Sequence, residues 1–536
     1  MSVPPQQAIP GVDTRPAPLR EWLTALPYVD AENTTTAVLE RLRDINHQRI
    51  PAAHRLELLE AFRHSYERLH DALRDNARLH DPQTLPRALT LLTELTEALS
   101  FGYKYALRDA GTERPRWGRN KQLPEALNYT LHFLALLLLC RYQAYQPVSD
   151  QHWREIGDLV RFAEAQPIEN TRDADFPYST GELHALTGYR QLALLRLADP
   201  YRLPSGLIWE AYGYLAGKTG QSVLLVHFDG ADTTGVYALS LDSEPHQSRP
   251  APTSGVERSS WRWLDARELL RTAQQDLERI QAGSSPQRVG FSNRLTSSDA
   301  IQLLGRMLGQ WTHTPQRKSP RFASATDVDL APGLDAAYYF LNNCVAFDPR
   351  DYAVAEDDDD IDFSLSARRA ESNLTREFRL VSCPTRNRSG GGLALHLDQL
   401  HGLGLRVGQL VVINAPGTGT DTGSGTGRDW LVGVVRWLQN REEAGTEVGV
   451  QYVARNSQPV VVRATTGAAQ HYHAALKSDL TLANGQRLPT LITTKGMFKS
   501  KTILELRHAD QSRQIRCEHL LESGGGFDRF SYEAMD

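Results

Sequence analysis

A glycine-rich turn between strand-like segments constrains the fold of the C-terminal half of this chain. The segment Asn387-Arg-Ser-Gly-Gly-Gly392 precedes an apolar run from Leu393 to Leu397. Successive glycines tolerate positive φ and let the backbone turn sharply, which is typical of a hairpin. Three more strand-like runs follow at residues 405–413, 430–438 and 447–454. This order predicts a series of successive β-strands.

An arginine-rich arm lies upstream of this turn. It reads Arg317-Lys-Ser-Pro-Arg321 and leads into a strand-like run at residues 326–330. Arginine can grip phosphate, or O6 and N7 of guanine, with paired hydrogen bonds, and it also stacks on bases. Asn387 and Ser389 would add short donor and acceptor groups beside it. A solvated pair of arginines and a plain hairpin turn are the alternative interpretation of the same residues.

Together, and in this order, the two segments resemble the two-part signature of PilZ domains, the small β-barrels that bind the bacterial second messenger cyclic di-GMP. The segments 430–437 and 448–452 also resemble the G-x-V-x-W and x-G-V-x-F strands that close a PilZ barrel. The resemblance implies a ligand site made of residues from both motifs. Its members would be Arg317, Arg321, Asn387, Ser389 and Gly392, with Arg388 and Gln316 as further candidates.

The spacing of the two motifs departs from the usual PilZ pattern. Arg321 and Asn387 are 66 positions apart, which predicts an insertion at residues 332–376 after the first strand. The insertion includes a short helical pattern at 333–341 and the acidic stretch 356–360. It leaves open whether Arg368 with Arg369, or Arg376 with Arg379, meets Asn387 instead. The spacing of the pair at 317 and 321, and the strand after it, favour that pair.

The length of 536 residues predicts several domains, and the fold class we expect is α+β multidomain. The N-terminal part shows helical periodicity without a fixed-period repeat, which favours an irregular helical domain. Beyond it, residues 222–228 and 235–241 are predicted to form a strand pair, joined by a polar loop to a helix at 265–281. The predicted domains are a helical domain (1–198), a mixed α/β segment (199–311), a PilZ-like antiparallel β-barrel (312–465) and a β-rich C-terminal extension (466–536).

Composition restricts the partners and the compartment. A net charge of −5 gives no global basic field for extended nucleic acid. The most apolar run, Leu131 to Cys140, is too short to cross a bilayer and is predicted to be a buried core helix, so no membrane span is expected. Four cysteines without a C-x-x-C pair, and the lack of a secretory pattern at the N-terminus, favour the cytoplasm.

No constellation in the sequence supports catalysis. Gly213-Tyr-Leu-Ala-Gly-Lys-Thr219 follows a helix and precedes a strand, the reverse of the order that a phosphate-binding loop requires. His471 and His473 would share one strand face but have no evident third metal ligand. The sequence therefore predicts neither an enzyme nor a resident cofactor.

Function is predicted from the resemblance. It implies a cytoplasmic cyclic di-GMP receptor that neither makes nor degrades the messenger. The ligand would order the arginine arm against the barrel and change how the helix at 297–310 packs on it. The N-terminal part would then present a different surface to an unidentified protein partner. The alternative hypothesis is a ligand-silent PilZ-like scaffold that acts only through protein–protein interaction.

Overall fold

The structure is a computed structural model that divides into two compact units, Met1–Pro315 and Gln316–Asp536. The structure describes residues 2–76, 85–112, 122–166, 169–172, 181–246, 260–312, 320–323, 326–352, 378–397, 403–414, 430–441, 445–465, 471–482, 485–508 and 511–535.

The first unit is mainly helical. Its helices are α1 (Pro16–Thr24), α2 (Ala31–His47), α3 (Ala52–Asn76), α4 (Leu85–Thr112), α5 (Gln122–Gln143), α6 (Asp150–Glu164), α7 (Ala185–Leu197), α8 (Ser205–Ala216), α9 (Arg267–Gln281) and α10 (Ser297–Thr312). Its strands are β1 (Thr171–Arg172), β2 (Glu182–Leu183), β3 (Val223–Leu225), β4 (Val236–Ser240) and β5 (Trp261–Asp265).

Helix α5 is the centre of the helical part. Residues 126–140 are all buried, and the helix contacts α3, α4, α6, α7 and α8. Its length and composition would also suffice to cross a membrane, but 83% of its most apolar 18-residue window is buried against the rest of the protein. A helix that is apolar on every side is expected to be surrounded by protein. The buried core helix predicted around Leu131–Cys140 is therefore what the structure contains.

The strand pair predicted at 222–228 and 235–241 is wrong, because a third strand separates the two. β3 and β4 both pair antiparallel with β5, in the order β3-β5-β4. β5 occupies residues that the sequence prediction left between a polar loop and a helix. Arg262 of β5 is a charged residue that is nevertheless buried, and the two oxygens of Glu164 accept hydrogen bonds of 2.9 and 2.6 Å from it.

The second unit is mainly β-structure, and its described residues include the α-helix α11 (Leu334–Leu341). Its strands are β6 (Phe322–Ala323), β7 (Asp327–Pro332), β8 (Val381–Ser389), β9 (Gly392–Leu397), β10 (Leu410–Asn414), β11 (Trp430–Arg441), β12 (Gly445–Arg455), β13 (Gln458–Ala464), β14 (His473–Thr481), β15 (Arg487–Thr494), β16 (Ile503–His508), β17 (Gln511–Ser523) and β18 (Phe527–Ala534).

The first seven of these strands form one sheet that closes on itself. Its order is β6-β8-β7-β10-β11-β12-β9, and β9 also pairs with β8. The ring β8-β7-β10-β11-β12-β9 is thus a six-stranded barrel, and β6 lies beside the end of β8 that β7 does not reach. The cross-strand partners Leu393, Val450 and Val435 are buried in its interior. The predicted antiparallel barrel is confirmed.

The C-terminal strands form a second closed barrel rather than a simple extension. Its order is β13-β14-β15-β18-β17-β16, around a core that includes Leu491, Leu504 and Phe530. The α+β multidomain class predicted from the sequence is confirmed, with more β-structure at the C-terminus than the alternating runs alone implied.

Helix α11 lies between the two barrels of the second unit. Its buried residues join one apolar cluster with Val412 and Val432 of the first barrel and Val461 and Ile492 of the second. The insertion predicted at 332–376 therefore begins with residues that belong to the core. Residues 353–377, with Arg368, Arg369 and Arg376, lie outside the described residues.

Candidate functional site

The second motif forms the end of a β-hairpin. Asn387, Arg388 and Ser389 are the last three residues of β8, Gly390 and Gly391 form the turn, and Gly392 begins β9. The sequence predicted a turn over the whole motif, but only Gly390 and Gly391 are in one. Ser389 is the cross-strand partner of Gly392, and its hydroxyl donates a hydrogen bond of 3.2 Å to the Gly392 carbonyl oxygen.

The end of the arginine arm runs beside this hairpin. Phe322 and Ala323 of β6 pair with Arg388 and Asn387 of β8, respectively. Continuing this antiparallel register by one residue brings Arg321, which is exposed, opposite Ser389. Residues directly opposite each other in an antiparallel pair share a sheet face, so Arg321, Ala323, Asn387 and Ser389 share one.

Two other predicted residues of the arm, Arg317 and Gln316, lie outside the described residues. Arg379, which the sequence analysis left as an alternative partner for Asn387, is exposed just before β8 begins. Among the candidate arginines that the structure describes, Arg321 is the one whose neighbouring residues pair with Asn387 and Arg388.

Arg388 lies on the opposite sheet face from Asn387 and Ser389. Its cross-strand partner on β9 is Leu393, which is buried inside the barrel. Its guanidinium has a buried Nη2 atom and interacts with the hydroxyl of the nearby Tyr452. Burial raises the pKa of Tyr452, and the charge of Arg388 opposes that rise. The structure thus separates Arg388 from the other predicted site residues.

Gly392 occupies a position where no side chain fits. A Cβ atom built on it would lie 2.2 Å from the carbonyl oxygen of Val450 on β12. Because the clash is with backbone, it cannot be relieved by a rotamer change. At Gly391 the same construction meets nothing within 4 Å. Gly392 therefore allows β9 and β12 to approach closely and leaves that part of the surface without a side chain.

Arg455 supports the hairpin turn from β12. Its Nη2 donates a hydrogen bond of 2.8 Å to the Gly390 carbonyl oxygen, and its guanidinium carbon lies 5.5 Å from the centre of the Tyr452 ring. The Tyr452 amide donates to the Gly391 carbonyl oxygen at 3.0 Å. These bonds fix both residues of the turn. Arg455 could not be predicted from the sequence, because it belongs to neither motif.

A row of polar groups crosses four strands on the outer face of the barrel. Register brings together Arg321 before β6, Ser389 on β8, Gly392 on β9 and Gln451 on β12. Since adjacent strands lie about 4.8 Å apart, the row is about 14 Å long. At its far end, Nε of Arg436 donates to the Gln451 Oε1 atom at 2.7 Å.

The row suits an elongated anion. An arginine lies at each end and neutral hydrogen-bonding groups lie between them, with bare backbone at Gly392 in the middle. Sequence reasoning missed Gln451 and Arg436, although strand alternation in the segment Val448-Gly-Val-Gln-Tyr452 would have assigned Gln451 to the outer face. Among the described residues, no three His, Cys, Asp or Glu side chains cluster as a metal site requires.

Three protein-family models match this chain. The model described as "Cyclic-di-GMP receptor FimW, N-terminal domain" matches residues 17–225. "Cyclic-di-GMP receptor FimW, middle PilZ domain" matches 346–459, and "FimW C-terminal beta-barrel domain" matches 460–535. The middle match includes residues 387–392 but begins after Arg321.

One curated relative is similar over nearly the whole chain. It is the cyclic-di-GMP receptor FimW of Pseudomonas aeruginosa, 22% identical over 589 aligned residues. The alignment covers 99% of this chain and 93% of the relative. No solved structure is significantly similar to the chain.

Proposed function

Because this chain belongs to the family of PilZ-type cyclic di-GMP receptors, we propose that it is a cyclic di-GMP-binding effector whose ligand lies on the outer face of the first barrel. Arg321 grips phosphate or guanine from the arm, and Arg317 contributes a second guanidinium from the same segment. Asn387 and Ser389 bond the ligand from β8. Gly392 forms the bare floor, where the ligand can approach the backbone.

The strand pairing between β6 and β8 carries this assignment. It brings the last residue of the arm, Arg321, into register with Ser389, although Arg321 and Asn387 are 66 positions apart. Arg321 is exposed, so its guanidinium can move to meet a ligand. Two phosphates supply the negative charge that would attract such a group.

Ligand binding acts as a switch in this proposal. The phosphates of cyclic di-GMP draw the arm against the barrel rim. The bound arm changes how the preceding helical part packs and so controls a protein partner. The protein performs no catalysis in this role and works in the cytoplasm, where the messenger is made.

Calorimetry with cyclic di-GMP tests the site. Arg321→Ala should weaken binding by 10-fold or more, since a charge-assisted hydrogen bond contributes about 1.5–3 kcal/mol. Arg350→Ala is the matched control, because Arg350 is an exposed arginine of the same unit that pairs with Asp348. The control should bind like the wild type.

Equal binding by wild type and Arg321→Ala would refute the assigned site. If the wild type itself gives no binding heat and a stable protein complex is recovered instead, the ligand-silent scaffold becomes the better account.

A further inference from the structure

Arg436 connects the candidate site to the second barrel. Its Nε donates to Gln451, the cross-strand partner of Gly392. Its two terminal nitrogens donate to the two carboxylate oxygens of Glu522 on β17, with 2.9 Å between Nη2 and Oε2. One side chain therefore joins the outer face of the first barrel to a carboxylate of the second.

The hairpin that carries Glu522 is fixed against the first barrel at the same place. The Gly525 amide donates to the Gly408 carbonyl oxygen at 3.2 Å, and the Gly408 amide donates to Val435, next to Arg436, at 2.8 Å. A Cβ atom on Gly524 would lie 2.4 Å from the Gly408 oxygen. The β17–β18 hairpin is thus packed closely on the β10–β11 side of the first barrel.

A second arginine lies beside Glu522 without a matching acceptor. Arg529 on β18 is the cross-strand partner of Glu522 and is only 6% exposed. Its Nε and Nη2 atoms have no hydrogen-bond partner among the described residues. Burial lowers the pKa of Arg529, and the negative charge of Glu522 acts against this.

Glu522 therefore has two guanidinium neighbours, of which Arg436 takes both carboxylate oxygens. Two buried guanidinium nitrogens without acceptors cost free energy, so any event that frees the carboxylate will favour its turning toward Arg529. The cluster of Arg436, Glu522 and Arg529 has one more positive than negative charge, and an additional anion would balance it.

We propose that Arg436 contacts a ligand phosphate at the end of the polar row opposite Arg321. To do so it leaves Glu522, and Glu522 then pairs with Arg529. The β17–β18 hairpin therefore changes when the ligand is bound. This inference rests on the proposed function and deepens it, because it makes the second barrel an output element of the same site. Arg436 reaches Gln451, about 10 Å from Ser389 across two strand spacings, so one ligand can contact both ends of the row.

Calorimetry on the full chain with cyclic di-GMP tests the exchange. Glu522→Gln should bind 3- to 10-fold tighter, because Arg436 no longer has to leave a carboxylate. Arg436→Gln should bind at least 10-fold weaker. Glu518→Gln is the matched control: Glu518 lies on the same strand and pairs with Lys501 and Arg516. The control should bind like the wild type.

Hydrogen exchange of the peptide at 517–523 gives a second readout that a purely structural ion pair would not produce. Ligand should change the exchange of this peptide in the wild type and leave it unchanged in Glu522→Gln, although that variant still binds. A wild type that binds cyclic di-GMP without any change in β17, or a Glu522→Gln variant with wild-type affinity, overturns the exchange but leaves the proposed function intact. A wild type that binds no cyclic di-GMP overturns both.

Discussion

At the scale of single residues, Gly392 makes a sharp prediction about stability. Gly392→Ala should destabilise the second unit by about 1–3 kcal/mol, because the new methyl group would overlap the Val450 carbonyl oxygen and force the strands apart. Urea unfolding followed by circular dichroism measures the change.

Gly391→Ala is its control. The substitution lies one residue away in the same hairpin and has open space around the added methyl group. If both variants unfold at the same urea concentration, β9 and β12 do not approach each other as closely at Gly392 as the structure indicates.

A substitution of Arg388 tests whether this residue supports the barrel or binds the ligand. It lies on the face that points into the barrel, so Arg388→Met should leave the affinity for cyclic di-GMP within about twofold of the wild type. Because the substitution also removes the cost of burying part of a guanidinium, the loss of stability should stay below about 1 kcal/mol. A 10-fold loss of affinity, measured by calorimetry, would return Arg388 to the ligand-binding group.

At the scale of elements, helix α5 makes stability depend on pH. Burial, reinforced by the charges of Arg63 and His70, lowers the pKa of His132 from 6.5 to about 3. Between these values the unfolded chain binds the proton and the folded chain does not. The full stability is therefore present above about pH 6.5. Below that value the free energy of unfolding falls by up to about 1.4 kcal/mol for each pH unit.

Urea unfolding monitored by helical circular dichroism at pH 7 and pH 5 measures this dependence. His132→Phe keeps an aromatic ring of similar shape and has no titrating group. The variant should lose less stability between the two pH values than the wild type. Identical losses in the two proteins would show that His132 is protonated in the fold.

Elements with a strong pattern could be predicted from the sequence, and those without one could not. The apolar run of α5 and the alternating strands of both barrels follow from periodicity alone. β5 could not be found, because the burial of its Arg262 depends on the ion pair with Glu164, 98 positions away. Closure of the last six strands into a barrel depends on pairings such as β13 with β16, which local pattern does not encode.

For the candidate site, the chemistry of the residues could be predicted from the sequence, but the strand pairing that brings them together could not. The motif chemistry of Arg321, Asn387 and Ser389 is local, whereas the register that brings them together is not. Arg436 and Gln451 occupy variable positions of the two barrel-closing strand motifs, and their link to Glu522 arises only when the second barrel packs on the first. The strand face of Arg388 depends on the bulge that interrupts β8–β9 pairing between Thr385 and Asn387.

At the scale of the whole molecule, the four cysteines report on the integrity of both units. Cys344 is exposed, whereas Cys140, Cys383 and Cys517 are buried. Burial raises the pKa of Cys140 to about 12 and those of Cys383 and Cys517 to about 11, which removes the reactive thiolate.

An aromatic disulfide reagent at pH 8 should therefore label one thiol per chain rapidly in the native protein and all four in denaturant. Cys344→Ser should abolish the rapid phase. Rapid labelling of a second thiol in the native chain would mean that one of the buried cysteines is accessible, and mass spectrometry would identify which unit opens.

The central claim, that a cyclic dinucleotide is bound between the arginine arm and the β8–β9 hairpin, is tested most directly by a crystal structure of the complex with cyclic di-GMP. The account predicts the ligand on the outer face of the first barrel, with Arg321 on a phosphate or guanine and with Asn387 and Ser389 within hydrogen-bond distance. A ligand bound elsewhere, with Arg321 directed into solvent, would contradict it.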